Sequence, residues 1–249
     1  MMDRSFIAGM RKAGKLAART LSHVIKHAKE GITTNELDQI ASDFTLSNGG
    51  QNACLGYRGY PKSICTSLNE VLCHGVPDDT KLVSGDLINI DVTVSVNGYF
   101  GDTSATIGIG TISEEVGELI HAAYGARMAG IQAVRPFGRT GDIGFSTTNW
   151  IQSNYPGWSL VKDIGGHGIG KTFHMDPFVP SVGKFGQGFV LKPWTCITVE
   201  PIVWEDQGYI VESIPLSSIQ VYKGKDGLAA QFEHTILVTA TGFEILTEG

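Results

Sequence analysis

Two aspartates in this chain stand where ionised carboxylates would face each other. Ile88, Ile90, Val92, Val94 and Val96 alternate with Asn89, Asp91, Thr93 and Ser95, the period-2 signature of a strand. Asn97-Gly98 follows, a two-residue hairpin turn. With that turn, Val96 opposes Tyr99, Thr93 opposes Asp102 and Asp91 opposes Ser104. Asp91 and Asp102 then lie diagonally on one polar face, roughly 7 Å apart at the backbone. Two carboxylates converging inside a protein repel unless something cationic separates them. Two metal ions about 3.5–4 Å apart would do so and would clamp a water for hydrolysis. Taken alone, the pair fits a solvent-facing polar hairpin rather better.

Three further residues shift that balance. Glu200 in ITVEP and Glu233 in QFEHT each put an acid within an apolar strand pattern, where an unpaired charge is costly. His167 sits between glycines in GGHGIG, a setting that lets a ligand approach the backbone closely. Four carboxylates and one imidazole make a mostly oxygen donor set suited to paired Mn, Fe, Co or Zn. His234 falls on the opposite strand face from Glu233 and reads as a packed, hydrogen-bonded residue. GGHGIGKT formally matches a phosphate-binding loop, but that loop must open a helix. Pro177 and Pro180 follow too soon for one. His23 and His27 lack the glutamate of a helical zinc motif and read, like His121, as surface residues.

The elements that must position these groups are partly legible. Ile7, Met10, Leu16, Ala17, Leu21, Val24 and Ile25 recur at helical spacing over residues 5–29. Thr33 and Glu36 form a capping box for a second helix through Leu37, Ile40 and Phe44. A third helix is expected from Ser113 to Val134, and Asp142 reads as the cap of a fourth running through Trp150. Short strands return after Leu160. Two helix-plus-strand halves favour an α+β fold over a regularly alternating parallel sheet.

Composition sets limits. The chain has 249 residues, 42% hydrophobic and 18% charged, with a formal charge of −6. That is an ordinary globular balance, and it lacks the excess of Lys and Arg that an extended phosphate-binding surface needs. The N-terminal stretch has no continuous apolar core of the kind an export signal needs, and no segment is long enough to span a membrane. The four cysteines show no C-x-x-C spacing and read as free thiols of a cytoplasmic protein.

ACLGYRGYPKSIC, NEVLCHGVP, INIDVTVSVNGYFGDTSAT, GGHGIG, FHMDP, ITVEP and QFEHTILVT occur in that order across residues 5–245. In these segments the chain resembles the type I methionine aminopeptidases, M24-type metallopeptidases of the creatinase/aminopeptidase group. The resemblance implies a pita-bread fold: one domain, residues 1–249, with two pseudo-symmetric halves around a curved antiparallel sheet and the metals between them. It implies that Asp91 chelates one ion, that Asp102 and Glu233 bridge two, and that His167 and Glu200 complete the other shell. It also implies attack by a water or hydroxide between the ions on the first peptide bond, with Glu200 shuttling the proton. His74 and His174 would flank the substrate. Cys54, Tyr57, Tyr60, Cys65 and Phe173 match positions lining the methionine pocket, and soft sulfur suits rings and thiols. A monovalent cation is implied at the backbone of Asn69 and Val71.

The implied reaction is release of the initiator methionine from nascent chains, preferentially before a small residue, by a cytoplasmic monomer that meets the ribosome transiently and has no nucleic-acid specificity. The short interval between His167 and Glu200 leaves no room for the helical insertion of type II enzymes. Three departures bear on substrate tolerance. Gln220 stands near a place where the family often has tryptophan. Trp194-Thr195 replaces Gly-Met, and Met175-Asp176 follows His174.

Overall fold

Asn97 (φ 52°) and Gly98 (φ 77°) both adopt the left-handed backbone that a type I′ turn requires at its two central positions. They join strands Leu87–Val96 and Tyr99–Gly108 in the expected register, with Val96 opposite Tyr99, Thr93 opposite Asp102 and Asp91 opposite Ser104. The computed structural model describes residues 3–205, 208–225 and 227–248.

Around this hairpin the described residues form a nine-stranded antiparallel sheet. Its order is Gln51–Asn52, Leu87–Val96, Tyr99–Gly108, Glu233–Val238, Cys196–Val199, Gly165–Ile169 and Met175–Pro180. Cys65–Leu68 pairs beside Leu87–Val96, and Phe243–Ile245 beside Glu233–Val238. The chain therefore alternates between two halves. The hairpin belongs to the first, the three strands from Gly165 to Val199 to the second, and Glu233–Val238 stitches them together.

Helices cover one face. α1 (Arg4–Ile25) and α2 (Thr34–Ser47) lie over the first half, α3 (Glu114–Gln132) and α4 (Thr140–Asn154) over the second. Ala13, Leu16, Leu21 and Val24 of α1 pack on Ile88, Ile90, Val92 and Val94. Ile131 and Ile143 pack with Val179, Ile197, Val199 and Ile236. Each such aliphatic side chain contributes about 1.5–3 kcal/mol when fully buried. No helix among the described residues is long and apolar enough to cross a membrane.

Local chemistry sets the helix ends. The Asp3 carboxylate accepts from the amides of Ser5 (2.9 Å) and Phe6 (3.1 Å), capping α1. Thr33 and Glu36 make the expected reciprocal box on α2, at 3.1 and 2.7 Å. α1 stops at Ile25 rather than running to residue 29, because the amides of His27 and Ala28 turn back to Val24 and Ile25 in tighter bonds. Asp142 is not the cap of α4. The helix begins two residues earlier, and Asp142 sits in its first turn, where its carboxylate accepts from the Arg139 amide at 3.1 Å and from Arg135 at 3.2 Å.

The polar face of the hairpin does not meet solvent. Asn89, Thr93 and Ser95 are as buried as the apolar row. The Ala229–Gln231 strand lies over part of that face, where the Gln231 carbonyl accepts from Asn89 at 2.9 Å and from Thr106 at 2.6 Å. A strand with polar residues buried on one face and apolar residues on the other has a reason to keep the polar ones, and the site supplies it.

Candidate metal centre and active site

Strand register brings the five charged groups together. Asp91 opposes Ser104, and Ser104 in turn opposes Glu233, so three neighbouring strands carry them in a row. Thr93 opposes Asp102 and donates to its Oδ1 at 2.7 Å. From the second half, Thr198 accepts from the His167 amide at 2.9 Å and donates to Glu200 Oε1 at 2.7 Å. Gln231 Nε2 reaches Glu200 Oε2 at 3.2 Å. Thr93, Thr198 and Gln231 were not singled out from the sequence. Thr93 and Gln231 are two residues from Asp91 and Glu233, so strand alternation already placed them on the same face.

The glycines around His167 serve the sheet rather than a ligand. A Cβ on Gly166 would lie 2.2 Å from the Thr198 carbonyl oxygen, and one on Gly168 would lie 2.1 Å from that of Asp176. Strands on both sides press against this backbone, and His167 is carried between them. Gly165–Ile169 is itself a strand leading into another strand, not a phosphate loop.

Electrostatics point to a cation. Burial, then the charge of Asp102, pushes both Asp91 and Glu233 well above the usual carboxylate range. Burial pushes Glu200 up to about 7. Asp91 Oδ1 and Glu233 Oε1 are buried with no hydrogen-bond partner. Burial alone would lower His167, but its contact with Asp102 and the nearby Glu200 charge raise it instead. Its Nε2 lies 3.7 Å from Asp102 Oδ2 and 3.6 Å from Glu200 Oε1. Its Nδ1 lies 3.0 Å from the Gly168 carbonyl, a bond that requires the Nδ1–H form and leaves Nε2 free to ligate. Ligand atoms of Asp102, His167 and Glu233 fall within 4.8 Å of one another. Orphaned carboxylate oxygens, mutual repulsion and a correctly presented imidazole all fit a divalent metal.

One cavity holds these five together with His74, His174, Cys54, Tyr57, Tyr60, Cys65, Phe173 and one residue not foreseen, Ile219. Phe173 stacks on His174 (4.1 Å) and on Phe100 (5.7 Å), and Tyr57 packs on Phe173 (4.7 Å). Tyr60 is buried, its hydroxyl donating to the Gly75 carbonyl at 2.8 Å. Cys54 and Cys65 are buried free thiols. Gln220 is not the residue that faces this cavity. Its side chain is exposed, and only its carbonyl takes part, 2.9 Å from His74 Nδ1. Ile219, the residue just before the Gln220–Gly224 strand, lines the cavity instead.

The two flanking histidines are held differently. Nδ1 of His74 faces a carbonyl, so it donates and its Nε2 is left as an acceptor. Nδ1 of His174 lies 3.0 Å from the Tyr57 hydroxyl. Burial keeps both imidazoles neutral, lowering His74 and taking His174 down to about 3. Asn69 and Val71 lie outside the cavity. The Asn69 carbonyl accepts from the Ala229 amide at 3.0 Å, and its side chain ties to Leu87 and Asp86.

Comparison with known proteins agrees with this geometry. The model of metallopeptidase family M24 matches residues 8–240. The methionine aminopeptidase of Rickettsia prowazekii is 43% identical, over 98% of this chain and 93% of its own. Methionine aminopeptidase A of Synechocystis sp. is 44% identical, over 100% and 97%. The crystal structure of the Rickettsia prowazekii methionine aminopeptidase superposes with a TM-score of 0.94 at 41% identity, covering 100% of this chain and 99% of that one. A buried, metal-shaped set of carboxylates and imidazole on this sheet, and a family match over most of the sequence, place the chain in metallopeptidase family M24.

Proposed function

We propose that this chain removes the N-terminal methionine from newly made polypeptides, preferring a small second residue. The observation that carries the reading is the composition of the cavity that holds the five charged groups. Five groups suited to divalent metal adjoin a wall of Cys54, Cys65, Tyr57, Tyr60 and Phe173, to which a thioether is well matched. Asp91, Asp102, His167, Glu200 and Glu233 would hold two divalent ions of Co, Mn, Fe or Zn. Bound there, the ions supply a nucleophile at neutral pH and polarise the scissile carbonyl.

The remaining work falls to the chain. A Tyr57 hydroxyl donating to His174 Nδ1, 3.0 Å away, would make Nε2–H a donor toward the oxygen where negative charge develops. His74 offers the complementary group, an Nε2 lone pair suited to the backbone N–H beyond the cleaved bond. Glu200, tied by Thr198 and Gln231, is placed to pass a proton to the leaving amine. Methionine fills the sulfur-lined and aromatic wall, with Ile219 closing one side. A monovalent cation at the backbone of Asn69 and Val71 would brace the strands behind His74.

We read residues 1–249 as one catalytic unit, a cytoplasmic monomer meeting nascent chains through a transient ribosome contact and without nucleic-acid specificity. Two protein substrates, one beginning Met-Ala and one Met-Leu, test the reading by N-terminal sequencing after incubation with enzyme and Mn²⁺. Methionine should be lost from the first and retained by the second. Internal cleavage, or release of dipeptides, would overturn it.

A further inference from the structure

Thr103 and His234 oppose each other on neighbouring strands, one residue beyond Asp102 and Glu233. Strand alternation turns them to the opposite face of the sheet, toward the helices. There they line a second cavity, of about 300 Å³, with Arg127 and Tyr124 of α3, residues of α1, Thr247 and Glu248. Arg127 is only 5% exposed. No carboxylate among the described residues forms an ion pair with it. Its Nε has no hydrogen-bond partner; one Nη reaches the Met128 sulfur at 3.6 Å, and the Tyr124 side chain is the one other polar neighbour that favours the charge at close range.

This guanidinium is under-compensated. It lies 4.7 Å from the Tyr124 ring centroid and 5.3 Å from that of Phe232. Cation–π contacts contribute about 0.5–2 kcal/mol, whereas desolvating an ion costs several kcal/mol. Deprotonation offers no escape: burial lowers Arg127 from 12.5 only to about 10, so it stays charged at neutral pH. Glu248, exposed, lines the same cavity; its charge favours the guanidinium from a distance without closing an ion pair. The Thr103 hydroxyl is turned away, donating to the Glu233 carbonyl at 2.9 Å, and makes no hydrogen bond with Arg127. Nothing among the described residues engages the guanidinium fork with two acceptor oxygens.

We propose that the Arg127 cavity is a binding site for a small oxyanion, anchored by the guanidinium with the Tyr124 hydroxyl and the His234 imidazole as neighbouring donors. The shared chemistry is a pair of acceptor oxygens, which a sulfate-like tetrahedral anion or a carboxylate both provide. The site is separate from the metal centre, on the other face of the sheet.

The test uses the full-length, zinc-loaded protein. Sulfate and, in parallel, acetate are titrated against chloride at equal ionic strength while the imidazole resonances are followed by NMR. The His234 signal should move saturably with at least one of the two, and which one identifies the anion class. His167 and His174 should stay in place. Arg127→Met should weaken the binding by about tenfold or more, the loss expected for a charge-assisted bond. Should that variant fail to fold, Arg127→Lys, which keeps the charge and loses the fork, is expected to weaken it too. A His234 response no different from that to chloride, or unchanged affinity in the folded variant, would overturn the assignment.

Discussion

Asp91 and Glu233 are held where their own chemistry is unfavourable, each with a buried oxygen that nothing in the protein satisfies. Asp91→Asn and Glu233→Gln should therefore lower activity by about a thousandfold, the order expected when metal stabilisation of the transition state is lost. In EDTA-treated protein the same substitutions should raise the melting temperature, since they remove a charge from a repelling cluster. Glu200 adds a pH dependence whose sign is fixed. Its folded-state pKa lies above the ordinary value, at about 7 against 4.5. Its contribution is complete below pH 4.5 and is lost as the pH rises through about 7. The urea midpoint of EDTA-treated protein should fall across that window, and Glu200→Gln should flatten the fall. Tyr57→Phe removes the group that orients His174. It should lower kcat by about tenfold, roughly the worth of one hydrogen bond, with bound metal unchanged. A matching loss of metal would make Tyr57 a structural support of the centre instead.

At the scale of elements, what was legible followed from local rules. Asn97-Gly98 fixes a turn type, the turn fixes the register, and the register alone puts Asp91 and Asp102 on one face. The Thr33–Glu36 box likewise marks the start of α2. Pairings between distant segments were not legible. Nothing local says that Glu233 opposes Ser104, or that Ala229–Gln231 lies over the polar face and turns a surface-like pattern into a buried one. The inward residue at 219–220 is decided by how Gln220–Gly224 pairs with Val71–Cys73 and Tyr209–Ser213, and the resemblance pointed to the neighbouring position. Trp194, where the family has glycine, keeps a left-handed backbone at φ 70°. Gly168 gives the sharpest test at this scale. Alanine there must push its Cβ against the Asp176 carbonyl and spread two strands, at a cost of about 1–3 kcal/mol. Denaturant titration should show that loss, and metal affinity should fall with it because His167 is the next residue.

For the whole molecule, the two halves meet at the proposed metal centre. Asp91 and Asp102 come from the first hairpin, His167 and Glu200 from the second half, and Glu233 from the strand between them. Divalent metal should therefore tie the halves together and raise the unfolding temperature saturably, as any ligand of the folded state does. The proposed methionine pocket draws on the loop around Cys54 to Cys65 and on Phe173, so on this reading selectivity and metal binding share one architecture but use separate residues. The most direct measurement is hydrolysis of Met-Ala-Ser, Leu-Ala-Ser and Ala-Ala-Ser by protein stripped of metal and then reloaded with Mn²⁺ or Co²⁺. Release of methionine alone, and only after reloading, is the predicted result. Equal release from all three peptides would contradict the pocket, and release by the stripped protein would contradict the metal centre.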